Sequence, residues 1–522
     1  KYAEAARRAK QAGFDAVEIS GSAGYLVNQF LSPVTNQRQD KYGGSFQNRL
    51  RFLMEIIEST REKVGHEFPL IYRSCGSDFM EGGLTPDDYK VIAREAERAG
   101  VHAIGVTGGW HEAPVPEITM HVPRGGYVYL AQGLKEAVNI PVIACNRINE
   151  PLLAEEILRQ RKADLIGMGR ALLADPELPN KAQSGRFEDI RICIACNQGC
   201  LDNLFMRKPI QCLVNAQAGC EREYEIKPVK RKKRVAVIGG GPAGMEAARV
   251  AALRGHQVTL YEKGDSLGGL LKLASLPPGK AEIENTVRYL STQIMKSGVD
   301  IRLGTEATRD MIREAKFDAV VEATGAVPIV PDIPGIDSRQ VVTAQDVLRD
   351  RVTVREKVVI VGGGSVGCDV ALFLAHQRAM TDDNAFFLIK YGADHEATLA
   401  LLKKAGGSIT IVEKLPRIGK DIGVTTKWIV LGQLEQYGIR GITGTDVKQV
   451  LEGGIVVEKD GNQSRLEADT VVLAAGYLPR ESLFRQSEGR QGEPELYAIG
   501  DCVEPRKALD AIHEGFRIGQ KI

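Results

Sequence analysis

Twice in this chain an apolar run leads straight into a glycine-rich turn and then into a helix-forming stretch. The first copy is V-A-V-I-G-G-G-P-A-G, with Gly239, Gly241 and Gly244, and the second is V-V-I-V-G-G-G-S-V-G, with Gly362, Gly364 and Gly367. Glycines at this spacing allow a tight turn and let a pyrophosphate approach the N-terminus of the following helix. Each copy is followed by a second apolar strand that ends in an acid, Glu262 in V-T-L-Y-E and Glu413 in S-I-T-I-V-E. A carboxylate at that point accepts hydrogen bonds from a ribose 2′-hydroxyl. A glycine loop alone is weak evidence, but strand, helix and acid are all in place here. Two dinucleotide-binding Rossmann units are therefore predicted. An acid at Glu413 would repel a 2′-phosphate, so the second unit is expected to take NADH rather than NADPH, with Lys414 and Arg417 nearby as opposing basic charges. An insert of 30 residues, Gln377 to Gly406, delays its second strand and is read as an exposed helical elaboration.

Upstream of the first loop stand Cys193, Cys196, Cys200 and Cys212, spaced C-x2-C-x3-C-x11-C. Thiolates suit zinc and iron-sulfur clusters. Structural zinc usually takes its ligands from two separated knuckles, whereas three close cysteines and one more distant is a cluster arrangement. An iron-sulfur centre is expected, with zinc as the alternative and Cys220 as an alternative fourth ligand. Cys75, Cys145, Cys368 and Cys502 are scattered and read as ordinary buried thiols. A cluster beside a dinucleotide site means electron transfer.

Length and charge narrow the partners. The 522 residues are enough for several domains. Lys plus Arg is 68 and Asp plus Glu is 67, a formal charge of +1. That balance argues against nucleic acid or an anionic membrane as the main partner and favours small molecules. The basic run K-R-K-K-R, Lys230 to Arg234, is read as a solvated linker edge. Nine cysteines in so long a chain are no disulfide framework, the N-terminal stretch is polar, and no segment approaches a membrane span. A cytoplasmic location is expected; a homo-oligomer is compatible with all of this.

From residue 1 to about 190, short apolar runs alternate with charged helical stretches, the pattern of βα units and a parallel sheet. The predicted strands are Phe14 to Ser20, Leu70 to Ser74, Ala103 to Gly108, Pro141 to Asn146 and Asp164 to Gly169. Helices are predicted from Pro86 to Ala99 and from Pro151 to Arg161, each opening on proline. Five such units do not close an eight-stranded barrel, which needs about 250 residues. Polar residues gather after the strands, where barrel enzymes place their chemistry.

The longest of these loops reads N-Q-R-Q-D-K-Y-G-G-S-F-Q-N-R, Asn36 to Arg49. It resembles the signature N-x-R-x-D-x-Y-G-G-S-x-x-N-R of the old yellow enzyme family of FMN barrels. The resemblance implies the C-terminal part of a TIM (β/α)8 barrel, with three strands and roughly the first 140 residues of the usual barrel outside this sequence. The order of cysteine quartet, first glycine loop and second glycine loop is similar to the iron-sulfur branch of that family, typified by bacterial 2,4-dienoyl-CoA reductase and trimethylamine dehydrogenase and including naphthoyl-CoA reductases. That implies an α/β chain divided as a partial FMN barrel (1–190), a [4Fe-4S] module (191–228), an FAD domain of glutathione-reductase type (229–350, returning at 469–522) and a nicotinamide domain (351–468).

The same resemblance assigns residues. E-A-T-G with Gly325, and Y-A-I-G-D with Asp501, resemble the later FAD contacts. Arg73 would face the FMN pyrimidine. The amides around Asn146 and Arg147, and Gly169 with the Arg170 side chain, would hold its phosphate. Tyr25 in G-Y-L and His111 in G-W-H-E-A lie just after strands and align with an acid tyrosine and its histidine partner. The implied activity is NADH-dependent reduction of a conjugated C=C bond in a CoA thioester, electrons passing from NADH through FAD and the cluster to FMN. The dienoyl-CoA reductases use NADPH, so Glu413 is a departure. Reduction of another activated alkene (a 2-enoate, a steroid enone or an aryl-CoA), amine oxidation and an electron-transfer subunit are the alternatives.

Overall fold

The computed structural model describes residues 1–379, 381–390, 392, 395–484 and 494–522. They form two compact units, Lys1–Phe187 and Glu188–Ile522. In the first, β1 (Val17–Gly21), β2 (Leu70–Cys75), β3 (Ala103–Thr107), β4 (Val142–Ala144) and β5 (Leu165–Ile166) make one parallel sheet in sequence order. Register pairs Ser20 with Arg73, Arg73 with Gly105 and Gly105 with Ile143. Because side chains alternate along a strand, Ile19, Leu70, Tyr72, Ile104 and Val142 go to the helix-packed core. Glu18, Ser20, Arg73 and Gly105 fall on the opposite face.

The predicted strands are all present, with shifted ends. β1 starts at Val17 rather than Phe14, whose ring is exposed, and β5 shrinks to two residues. The helix at Pro86–Arg98 opens on a capping box between Thr85 and Asp88. The signature loop closes on itself. The Asn36 side-chain amide donates to the carbonyls of Phe30 (2.6 Å) and Tyr42 (2.7 Å), Arg38 pairs with Asp40, and Asn48 donates to the Gly43 carbonyl at 3.0 Å. Gly43 packs so closely that a Cβ would sit 2.0 Å from the Arg38 carbonyl oxygen. Ser45 then caps the helix Phe46–Val64.

The second unit holds two further five-stranded parallel sheets. One contains Arg234–Ile238, Gln257–Tyr261, Asp300–Arg302 and Ala319–Glu322, completed at its edge by Glu495–Ala498. The other contains Val341–Thr343, Thr470–Leu473, Val358–Val361, Ile409–Glu413 and Arg440–Thr443 in that spatial order. The strand-level division therefore differs from the expected boundaries at 350 and 468. Val341–Thr343 and Thr470–Leu473 pair with each other, and the latter with Val358–Val361, so both flanks belong to the second sheet. Within the insert, Asp382–Lys390 and His395–Gly406 are helical; its residues 380, 391, 393 and 394 lie outside the described set. No helix among the described residues is long and apolar enough to cross a membrane.

Candidate cofactor and active sites

At the C-terminal ends of β1 and β3, Ala23 and Trp110 form an isolated parallel bridge. That bridge draws together the two residues expected to handle protons. The Tyr25 hydroxyl lies 3.3 Å from His111 Nε2, with the rings edge-on at 5.6 Å between centroids. Tyr25 is 56 % exposed, so its hydroxyl is open to a reactant. A buried carboxylate fixes the arrangement: Asp78 accepts from the Trp110 indole (2.9 Å), the Tyr89 hydroxyl (2.6 Å), the Ser32 hydroxyl (2.7 Å) and the Leu84 amide (2.8 Å). Four donors saturate its oxygens, as a buried carboxylate requires. Cys75 Sγ accepts from the Ala23 amide at 3.1 Å, and burial pushes this thiol up to about 12. Asp78 carries no motif; only its long-range partners reveal it.

Arg73 projects from β2, half-exposed, with its guanidinium 3.5 Å from Glu18 on β1. Asn146 and Arg147, after β4, have consecutive positive φ values of 67° and 53°, left-handed backbone that non-glycine residues seldom adopt. The Arg147 side chain is buried and donates to the Val122 carbonyl at 2.8 Å. Gly169 is the N-cap of Arg170–Ala174, and the Arg170 side chain donates to the Ile118 carbonyl. The chemistry of this set, a cation on the face of the sheet opposite the core and backbone amides in the turns after β4 and β5, fits a flavin and its phosphate. Glu117 was not foreseen. Its side chain lies against Gly108, and burial raises its carboxyl to about 7 against the opposing pull of the Gly109 amide and Asn146.

In the second unit both glycine loops have the geometry their spacing implies. Gly239 has φ 111°, and a Cβ there would sit 2.2 Å from the Ala323 carbonyl oxygen; a Cβ on Gly244 would sit 2.0 Å from the Gly239 oxygen. The matching distances at Gly362 and Gly367 are 2.3 and 1.9 Å, to the oxygens of Ala474 and Gly362. Each acid clasps its loop. Glu262 accepts the amides of Gly240 and Gly264 at 2.7 Å, and Glu413 those of Gly363 (2.6 Å) and Leu415 (2.7 Å). Space above Gly241 is open, whereas the Asp421 carboxylate lies over Gly364. Gly325 has φ 76°, and Asp501, raised by burial, accepts the Arg506 amide at 3.2 Å.

The cysteine segment folds tightly. Positive φ at Ala195 and Asn197 wraps the chain around Cys196, and the Gln211 amide donates to the Gly199 carbonyl at 2.7 Å, which brings the approach to Cys212 alongside that to Cys200. Burial first, then the charges of Cys212, Cys193 and Cys200, drives the Cys196 thiol far up; Cys212 is pushed to about 12 by burial and by Cys193. Cys220 is not among the groups acting on either. Among the described residues no three acidic, histidine or cysteine side chains are set to hold a single metal ion. Cys193, Cys200 and Cys212 all act on Cys196, and this all-thiol donor set fits an iron-sulfur cluster.

Residues 1–189 match the NADH:flavin oxidoreductase / NADH oxidase family, and residues 233–515 match the pyridine nucleotide-disulphide oxidoreductases. A metal reductase of Desulforamulus reducens is 48% identical over 520 residues, which cover 99% of this chain and 78% of the relative. The chain belongs to the NADH:flavin oxidoreductase / NADH oxidase family. An NADH oxidase of Thermoanaerobacter brockii is 40% identical, with 100% of this chain and 77% of the relative covered. Among solved structures, a 2-naphthoyl-CoA reductase in complex with 2-naphthoyl-CoA has a TM-score of 0.90 at 36% identity, covering 100% of this chain and 75% of that one. This member of the old-yellow-enzyme-like flavoproteins is an NAD(P)H-dependent flavin oxidoreductase, and its two matched regions imply FMN, FAD and a nicotinamide nucleotide.

Proposed function

We propose that this flavoprotein uses NADH to reduce a conjugated C=C bond activated by a thioester carbonyl. The observation that carries the reading is the Tyr25–His111 pair, a hydroxyl 3.3 Å from an imidazole on the exposed rim of the barrel sheet. Its other supports are Arg73 on the same face and the likeness to a reductase solved with a CoA thioester.

When bound, FMN supplies hydride, and NADH, FAD and a [4Fe-4S] centre on Cys193, Cys196, Cys200 and Cys212 supply its electrons. Arg73, oriented by Glu18, would face the flavin pyrimidine and stabilise negative charge there. The amides around Asn146, Arg147 and Gly169 would bind the phosphate. Gly239, Gly241, Gly244, Glu262, Gly325 and Asp501 would hold FAD; Gly362, Gly364, Gly367 and Glu413 would hold NADH. As hydride adds to the far carbon of the conjugated system, charge moves toward the thioester oxygen. Tyr25 then gives its proton to the carbon that becomes carbanionic, and His111, in the tautomer whose Nε2–H donates to the Tyr25 oxygen, passes it the replacement proton and regains one from solvent. One hydride and one proton add across the bond, and the thioester stays intact.

A second reading, delivery of electrons to a metal-ion acceptor, draws on the name of the Desulforamulus relative and needs no Tyr25–His111 pair. Anaerobic stopped-flow mixing of the NADH-reduced full-length protein with a 2,4-dienoyl-CoA, 2-naphthoyl-CoA, a free enoate and a ferric chelate separates the two. Fast reoxidation by a thioester, lost in Tyr25→Phe, is the expected result. Reoxidation by the chelate alone, equal in wild type and variant, would overturn it.

A further inference from the structure

The two Rossmann units share their landmark positions, with Ser365 in the second where Pro242 stands in the first. Gly239, Gly241, Gly244, Glu262 and Gly268 correspond to Gly362, Gly364, Gly367, Glu413 and Gly419. In both, the acid takes the amide of the loop's middle glycine, and the amide six residues beyond the acid donates to that glycine's carbonyl: Gly268 to Gly240 at 2.8 Å and Gly419 to Gly363 at 2.7 Å. Beyond these glycines the match breaks: Gly269 and Leu270 in one unit stand where Lys420 and Asp421 stand in the other.

Asp421 reaches the dinucleotide loop. Its Oδ1 accepts the Ser365 amide at 2.9 Å, and its Oδ2 lies 3.2 Å from that amide and accepts the Ser365 hydroxyl at 2.7 Å. A Cβ on Gly364 would meet Oδ1 at 3.4 Å. Ser365 opens the helix Ser365–Arg378, so its amide is one a pyrophosphate on this loop would use. One N–H cannot serve a carboxylate and a phosphate oxygen together, and the two anions repel. The backbone carrying Asp421 is tethered on both sides. Gly419 is bonded to Gly363, and Gly423 packs on Asp202, where a Cβ would lie 1.9 Å from Oδ2. Only the exposed Asp421 side chain has to swing for the loop to open.

Building on the assignment of this loop to the nicotinamide nucleotide, we propose that Asp421 is a built-in competitor of the pyrophosphate and sets nucleotide affinity. The closed form withholds the Ser365 amide, so apparent affinity falls in proportion to the open fraction. The same competition speeds departure of NAD⁺ after hydride transfer.

The test is calorimetric titration of the oxidised, flavin-loaded full-length protein with NAD⁺ and with ADP-ribose, alongside thermal melts without nucleotide. Asp421→Ala should bind both ligands about tenfold more tightly while melting lower, because the helix at Ser365 loses its cap. Asp421→Asn, which keeps an acceptor but no charge, should fall between. A purely structural Asp421 would weaken binding and stability together. Unchanged or weaker binding in Asp421→Ala overturns the competitor role alone; no binding by wild type or variant overturns the site assignment and the competitor role with it.

Discussion

Tyr25 is the residue whose loss should be most selective. Replacing it with Phe keeps the ring against His111 and removes the proton, so turnover of a conjugated thioester should fall roughly 10²–10⁴-fold. Reduction of the bound flavins by NADH, followed by their absorbance, should be unchanged. Glu117 makes a different demand. Burial raises its carboxyl from an ordinary 4.5 to about 7, so the folded protein favours the protonated form more than the unfolded chain does. The stability this contributes is complete below about 4.5 and is lost as pH rises to about 7. Glu117→Gln, permanently neutral, should flatten that part of the pH profile of thermal midpoints and melt higher than wild type at neutral pH.

At the level of elements, Asp202 is the contact to break. It is 2% exposed, two residues past Cys200, and accepts the Thr425 amide at 2.9 Å and hydroxyl at 2.7 Å at the start of the helix Val424–Gln436. Asp202→Ala removes a helix cap supplied from another part of the chain and should cost about 1–2 kcal/mol, measurable as a lower denaturation midpoint at unchanged m-value. Such contacts mark the limit of what was legible beforehand. The glycine loops, their acids and the cysteine quartet are local patterns whose geometry follows from spacing, and the barrel strands follow from apolar runs. Tyr25 and His111 were found through resemblance alone. Asp78, Asp202 and Asp421 each take a partner between 32 and 223 positions away, and Glu117 is set apart by burial; no local pattern announces either. The expected domain boundaries near 350 and 468 differ from sheet membership for a related reason, because membership is decided by pairing partners distant in the chain.

Across the whole molecule the electron path should separate into two halves at the cysteine segment. Cys196→Ser replaces a buried thiol with a weaker, harder ligand. The purified protein should lose the visible iron-sulfur absorbance and the NADH-driven reduction of FMN, yet NADH should still bleach FAD. Loss of both flavin signals together would argue against a relay through this segment.

The first sheet of the second unit is finished by Glu495–Ala498, and every strand of the nicotinamide sheet lies in the chain before it. On the ribosome that order becomes a schedule. About 170 residues separate Ala319–Glu322 from its edge partner, on the order of ten to thirty seconds of translation. The nicotinamide sheet receives its inner strand Thr470–Leu473 only near the end of that interval, and the first sheet waits throughout with one edge bare. A chain cut short before Thr470 therefore lacks a strand of both sheets, and the two nucleotide-binding units are completed almost together, at the very end of synthesis.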